Sequence, residues 1–147
     1  MPATRQMCTF TVDGNLFGVE LERVQEILRA QPLARIPLAP SEVAGLINLR
    51  GQIVPAIDLR RRLAMAERSP EAEPTNVVLR GDDGAVSLLV DEIGDILTVS
   101  AETFEPPPEH LRGPLRALLL GVHKLQDALL LVLSPDAAID ISPLPQA

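Results

Sequence analysis

Apolar and polar positions alternate in short runs along the 147 residues of this chain. Cys8–Val12 and Leu16–Val19 are of strand length and flank Asp13-Gly14-Asn15, which predicts a first hairpin. From Glu20 the spacing changes: Leu21, Val24, Ile27 and Leu28 recur at three and four. That period predicts a short helix, closed by Pro32. Leu33–Ile36 reads as another short strand, and Ser41 as the cap of a single helical turn. Leu46–Leu49 and Gln52–Ile57 are almost wholly apolar on either side of Arg50-Gly51. They predict a tight hairpin buried on at least one side, with Gly51 supplying a backbone state that a side chain would hinder. Leu59–Leu63 forms one helical turn, and polar, proline-punctuated Met65–Pro74 a surface loop. Thr75–Arg80 and Ala85–Val90 make a second clear hairpin around Gly81-Asp82-Asp83-Gly84. Asp91–Val99 is next, then the stiff connector Glu105-Pro106-Pro107-Pro108-Glu109. Arg116–Val122 and Ala128–Leu133 pair about Lys124-Leu125-Gln126-Asp127. Pro135–Ile139 gives a last helical turn before Pro143 and Pro145.

Many short strands with regular turn signals imply an all-β barrel or sandwich with a few short helices. The spacing alone does not separate two barrels from one sandwich. The length fits one domain over residues 1–147. At 46% hydrophobic and 22% charged residues, disorder is excluded. The longest apolar stretches, such as Ala128–Leu133, are far too short to span a bilayer, and no apolar signal region opens the chain. These features, and a lone Cys8 that has no partner for an internal disulfide, predict a cytoplasmic protein without membrane insertion.

The net charge of −7 is unevenly spread. Residues 20–64 hold seven Arg against five acids, whereas residues 65–147 hold five basic and fourteen acidic side chains. No dense basic patch exists, and the only aromatic residues are Phe10, Phe17 and Phe104, so nucleic-acid binding is excluded. The asymmetry suits either a solvated acidic face or a protein partner of complementary charge.

Catalytic constellations are missing from the pattern. His110 and His123 stand at no metal-ligand spacing, and there is neither a phosphate-cradling glycine loop nor a Gly-x-Ser-x-Gly elbow. Asp82 and Asp83 lack the spaced oxygen ligands of a calcium loop and read as turn chemistry. A small hydrolase using Asp58 or Asp91 as base is the rival class; no cofactor, metal or reaction is expected, and a binding module fits better. Arg50 stands out because a guanidinium at the edge of a core needs a partner.

The run GLINLRGQIVPAIDLRRRL (residues 45–63) resembles the signature of CheW-like domains, the coupling modules of bacterial chemotaxis. FTVDGNLFGVELERVQEIL (10–28), RIPLAPSEVAGLINLRG (35–51) and LLVDEIGDILTVS (88–100) extend the resemblance over roughly Cys8 to Ile141. It implies two packed, SH3-like, five-stranded β-barrels. It also implies a non-catalytic adaptor between the cytoplasmic helical tips of chemoreceptors and the regulatory domain of a CheA-type histidine kinase, within receptor arrays at the inner face of the membrane. The partner-binding positions it implies are Val24, Glu26, Gly45, Asn48, Arg50, Gly51, Val90 and Ile93, with Glu26 and Arg50 in charge-assisted contact. The resemblance is weakest at Ser134-Pro135-Asp136, so no contact is carried over to the last helix. An adaptor of a pathway with another output, such as pili or a second messenger, and a small-ligand sensor of the same fold remain open.

Overall fold

A computed structural model describes residues 3–141, so the predicted proline-rich end at Pro143 and Pro145 lies outside the described residues. In chain order the strands are β1 (Thr4–Val12), β2 (Asn15–Glu20), β3 (Val24–Leu28), β4 (Val43–Leu49), β5 (Gln52–Asp58), β6 (Thr75–Gly81), β7 (Gly84–Val90), β8 (Glu92–Ser100), β9 (Phe104–Glu105), β10 (Leu119–Lys124) and β11 (Leu129–Leu133). Three short helices accompany them: α1 (Leu59–Arg62), α2 (Gly113–Leu118) and α3 (Pro135–Ile139). Among the described residues the strands form a six-stranded sheet, β8-β1-β2-β11-β10-β9, and a five-stranded sheet, β3-β6-β7-β5-β4. Two-residue β9 makes the first sheet one strand larger than expected.

Period-two side-chain alternation divides the apolar residues among three cores. Phe10, Val12, Phe17, Val19, Leu131 and Leu133 of the first sheet meet Ile57, Val77, Leu79, Leu88 and Val90 of the second in a shared core. Intervening positions fill a smaller core in each sheet: Met7, Val99, Leu130 and Val132 in the first, and Ile47, Leu49, Val54, Ala56, Val78 and Leu89 in the second. Strands such as β6, β7 and β11 are therefore buried on both faces, which explains their unbroken apolar runs.

Three expectations are corrected. The helix predicted from Glu20 is a single 3-10 turn, Leu21–Arg23, followed by β3. Its helical spacing has a strand explanation: a bulge between Val24 and Glu26 puts Val24 opposite Leu79 and Ile27 opposite Val77, both shared-core residues. Leu28 then turns to the smaller core. Leu33–Ile36 contributes only one bridge, Ala34 to Leu46, and Ser41 caps no helix. Pro32, Pro37 and Pro40 leave that segment too few N–H donors for a ladder or a helix. Arg116–Leu118, predicted as strand, ends α2, where Pro114 occupies a first-turn position and Leu115 and Leu118 pack on the shared core.

The buried polar side chains Asn76, Ser87 and His123 are paired. Ser87 donates to Asn76 Oδ1 at 2.8 Å, and Asn76 Nδ2 donates to the Arg29 carbonyl at 3.1 Å, which fixes the exit of the chain from β3. His123 Nδ1 lies 2.9 Å from Thr103 Oγ1, with the ring edge-on to Phe104. Burial, then the nearby Arg5, push its pKa below the usual histidine value.

Candidate partner-binding surface

The β4–β5 turn has two residues, Arg50 and Gly51, with Leu49 opposite Gln52. Both adopt positive φ, +51° and +86°, the geometry of a primed turn whose twist matches the flanking strands. Gly51 takes that state without penalty, and Asn48 Oδ1 braces it by accepting from the Gly51 N–H at 3.0 Å. The turn holds Arg50 outward, where its guanidinium pairs with Glu26 of β3. Arg50 remains 69% exposed and Glu26 only 20%. Hydrogen bonding from Arg50 holds the Glu26 carboxyl below its ordinary pKa. The expected Glu26–Arg50 contact thus forms, with a strand in place of the expected helix.

The other predicted positions separate. Gly45 is buried in β4, and a Cβ there would sit 2.7 Å from the Ala34 carbonyl oxygen. Its small size accommodates the chain's own 33–34 segment, which exchanges two hydrogen bonds with Leu46 (2.9 and 2.8 Å). Val24 is half-buried at the start of β3, packed on the shared core. Val90 is wholly buried in that core, so its side chain offers no surface and its role is to seat the end of β7. Ile93 is exposed on β8, an edge strand of the other sheet. Asn48, Arg50, Gly51 and Glu26 therefore come together, whereas Val90 lies inside the shared core and Val24 and Ile93 lie at its rim.

Sequence reasoning missed two apolar positions on that rim. A register shift between Cys8 and Phe10 places Ile93 opposite Phe10 and Ile96 opposite Cys8, so both isoleucines lie on one face. Ile96 is 55% exposed, and Ile27 is exposed on β3, the edge of the second sheet. Each of the three continues a shared-core face past the point where the opposite sheet covers it.

Residues 6–142 match the CheW-like domain in a comparison with known families. The chain belongs to that family. It is 30% identical over 135 residues to the chemotaxis protein CheW of Bacillus subtilis, covering 92% of this chain and 86% of the relative. To the chemotaxis protein CheW of Rhizobium meliloti it is 32% identical over 133 residues, covering 90% and 86%. Its fold is also that of the scaffolding protein TtCheW from Thermoanaerobacter tengcongensis, with a TM-score of 0.86 at 23% identity over 99% of this chain and 98% of that one. The two sheets described above are accordingly the two SH3-like barrels of the CheW fold.

One polar cluster of this CheW-like chain was not read from the sequence. Asp91, between β7 and β8, accepts Arg60 Nε at 2.9 Å and Nη2 at 2.7 Å in a two-pronged pair. It also accepts Arg68 Nε at 3.0 Å and the Asp13 N–H at 2.7 Å. Arg68 reaches Asp58 at 3.5 Å, and Asp58 caps α1 by accepting from the Arg60 N–H at 3.0 Å. Burial opposes ionisation of Asp91, but the bonds from Arg60, the Asp13 amide and Arg68 outweigh it and hold the pKa at about 2. A folded-state pKa below the unfolded value gives stability present above about pH 4 and lost as pH falls towards 2. Its size is about 2 kcal/mol, since one pKa unit is worth about 1.4 kcal/mol. Urea midpoints should therefore fall between pH 5 and pH 2.5, and Asp91→Asn should flatten that fall while lowering stability at pH 7. An equally steep fall in the variant would assign the acid sensitivity to other carboxylates.

Proposed function

We propose that this protein is a non-catalytic cytoplasmic adaptor. It bridges the helical tips of chemoreceptors to the regulatory domain of a CheA-type histidine kinase within receptor arrays. The observation that carries the proposal is the surface formed by Glu26 and Arg50, where a two-residue turn projects a guanidinium already oriented by a carboxylate. Such a group is preorganised, so a partner's acidic or carbonyl groups meet it without first ordering a long side chain. A second, apolar surface follows the rim at Val24, Ile27, Ile93 and Ile96, where an amphipathic helix has side chains to pack against. In this reading Gly45 and Val90 support these surfaces from beneath, and Asn48 and Gly51 hold the turn.

Family membership supports the adaptor class, as does a fold that presents both a polar turn and an apolar rim. Coupling requires that the two states of a bound receptor differ in free energy of binding; tight but equal binding transmits nothing. Modest affinity per contact suffices, because arrays add avidity. The test is calorimetric titration with the regulatory domain of a CheA-type kinase from the same genome, then with a receptor cytoplasmic fragment. Saturable one-to-one binding to the kinase domain supports the proposal, and absence of heat with every such domain overturns it.

A further inference from the structure

Among the described residues no strand of one sheet pairs with a strand of the other. The sheets meet through the shared core, whose attraction is non-directional, through the crossovers of the chain, and through polar ties such as those from Arg62 of α1 to the Ala137 and Asp140 carbonyls, 3.1 Å each. Asp91 is the only residue between β7 of the five-stranded sheet and β8 of the six-stranded one. Its N–H donates to the Thr11 carbonyl at 2.9 Å and its carboxylate accepts the Asp13 N–H, both on the first hairpin of the six-stranded sheet. The same carboxylate takes the fork of Arg60, on the helix that leaves β5 of the other sheet, and is closed by Arg68. Arg60 also lies 3.7 Å from Asp13 Oδ1. Asp91, Arg60 and Arg68 keep only 17%, 15% and 10% of their side chains exposed, so solvent screens the cluster weakly. A forked, largely buried ion pair fixes direction in a way that an apolar contact does not.

We infer that the Asp91 cluster is an inter-sheet latch: it sets the angle between the two barrels, and through it a change imposed on one barrel reaches the other. The inter-barrel transmission rests on the adaptor reading; the latch itself does not. Ile93, on the proposed apolar rim, lies two residues beyond Asp91, as the second residue of β8. The Glu26–Arg50 surface belongs wholly to the other sheet. A displacement of β8 therefore acts first on Asp91, and Asp91 grips the helix that follows β5.

Spin labels at Thr98→Cys on β8 and Gln52→Cys on β5, both exposed positions, report the inter-sheet distance, while Cys8 is buried. In that background Asp91→Asn should broaden the distance distribution about twofold and Arg68→Gln should broaden it less, with far-UV circular dichroism unchanged. An unaltered distribution in folded Asp91→Asn overturns the latch. If that variant does not fold, Arg68→Gln decides, since it removes one arm and keeps Arg60 and the Asp13 amide: broadening supports the latch and no change overturns it. In reconstituted complexes, Asp91→Asn should keep each binary affinity within about twofold yet lose about tenfold of receptor-dependent kinase control. Full control would overturn transmission through the latch. A wild-type protein that binds neither partner would overturn the adaptor reading and leave the latch to the distance measurement.

Discussion

Phe17→Ala is expected to cost about 3–5 kcal/mol, a large share of the roughly 5–15 kcal/mol that holds a typical domain together. Phe17 is fully buried on β2, between β1 and β11, and belongs to the core that both sheets share. Its ring stacks on that of Phe10, its cross-strand partner, at 6.1 Å between centroids and 16° between planes. Truncation loses that pair and leaves a cavity lined from both sheets, where collapse would require two sheets to move together. The chain has no Trp or Tyr, so the measurement is urea unfolding followed by far-UV circular dichroism. Phe17→Leu, which keeps most of the volume, should cost less than about 1.5 kcal/mol. An alanine variant as mild as the leucine one would show that the shared core repacks, and would remove its claim to be the main tie between the sheets.

Hairpins were legible wherever a turn demanded special residues. Asp13-Gly14 and Arg50-Gly51 both adopt positive φ, and both turns fall where the pattern puts them. The short helix at Leu59 also falls where the sequence puts it, and the structure adds Asp58 as its cap. The false helix at Glu20 shows how a short segment misleads: a 3-10 turn plus a bulge reproduces spacings of three and four without a helix. The end of α2 was missed because Leu118–Val122 reads as one apolar run, and the boundary inside it is set by packing rather than by local preference. The two barrels came from the family resemblance and not from spacing, and the three cores only from the structure.

The candidate site divides in the same way. Arg50 drew notice because its charge lies inside an apolar run, but the residues alone gave no reason to choose Glu26 as its partner. The Asp91 cluster was illegible for a different reason. Its members are 23, 31 and 78 residues from Asp91, and no local period links them. Ile27, Ile93 and Ile96 resemble core residues in sequence; only the sheet edges and the β1–β8 register shift make them surface.

The pair at the turn gives the sharpest functional expectation. Arg50→Ala should fold with a urea midpoint close to wild type, because the guanidinium is mostly solvated and the turn is braced by Asn48 and Gly51 rather than by the ion pair. Affinity for the kinase regulatory domain should nevertheless fall about tenfold or more, the scale on which a central Arg anchor acts in an interface. Two roles for Arg50 predict different results when the charges are exchanged. If the pair only ties β3 to the β4–β5 turn, Glu26→Arg combined with Arg50→Glu restores the tie and the affinity with it. If the guanidinium itself touches the partner, the exchange restores the tie but leaves a carboxylate where the partner requires a cation. The exposure of Arg50, against the partial burial of Glu26, favours the second role. The exchanged protein should therefore unfold like wild type and still bind about tenfold or more weakly. Recovered affinity would reduce Arg50 to a positioning residue, and wild-type affinity in Arg50→Ala would remove the turn from the interface.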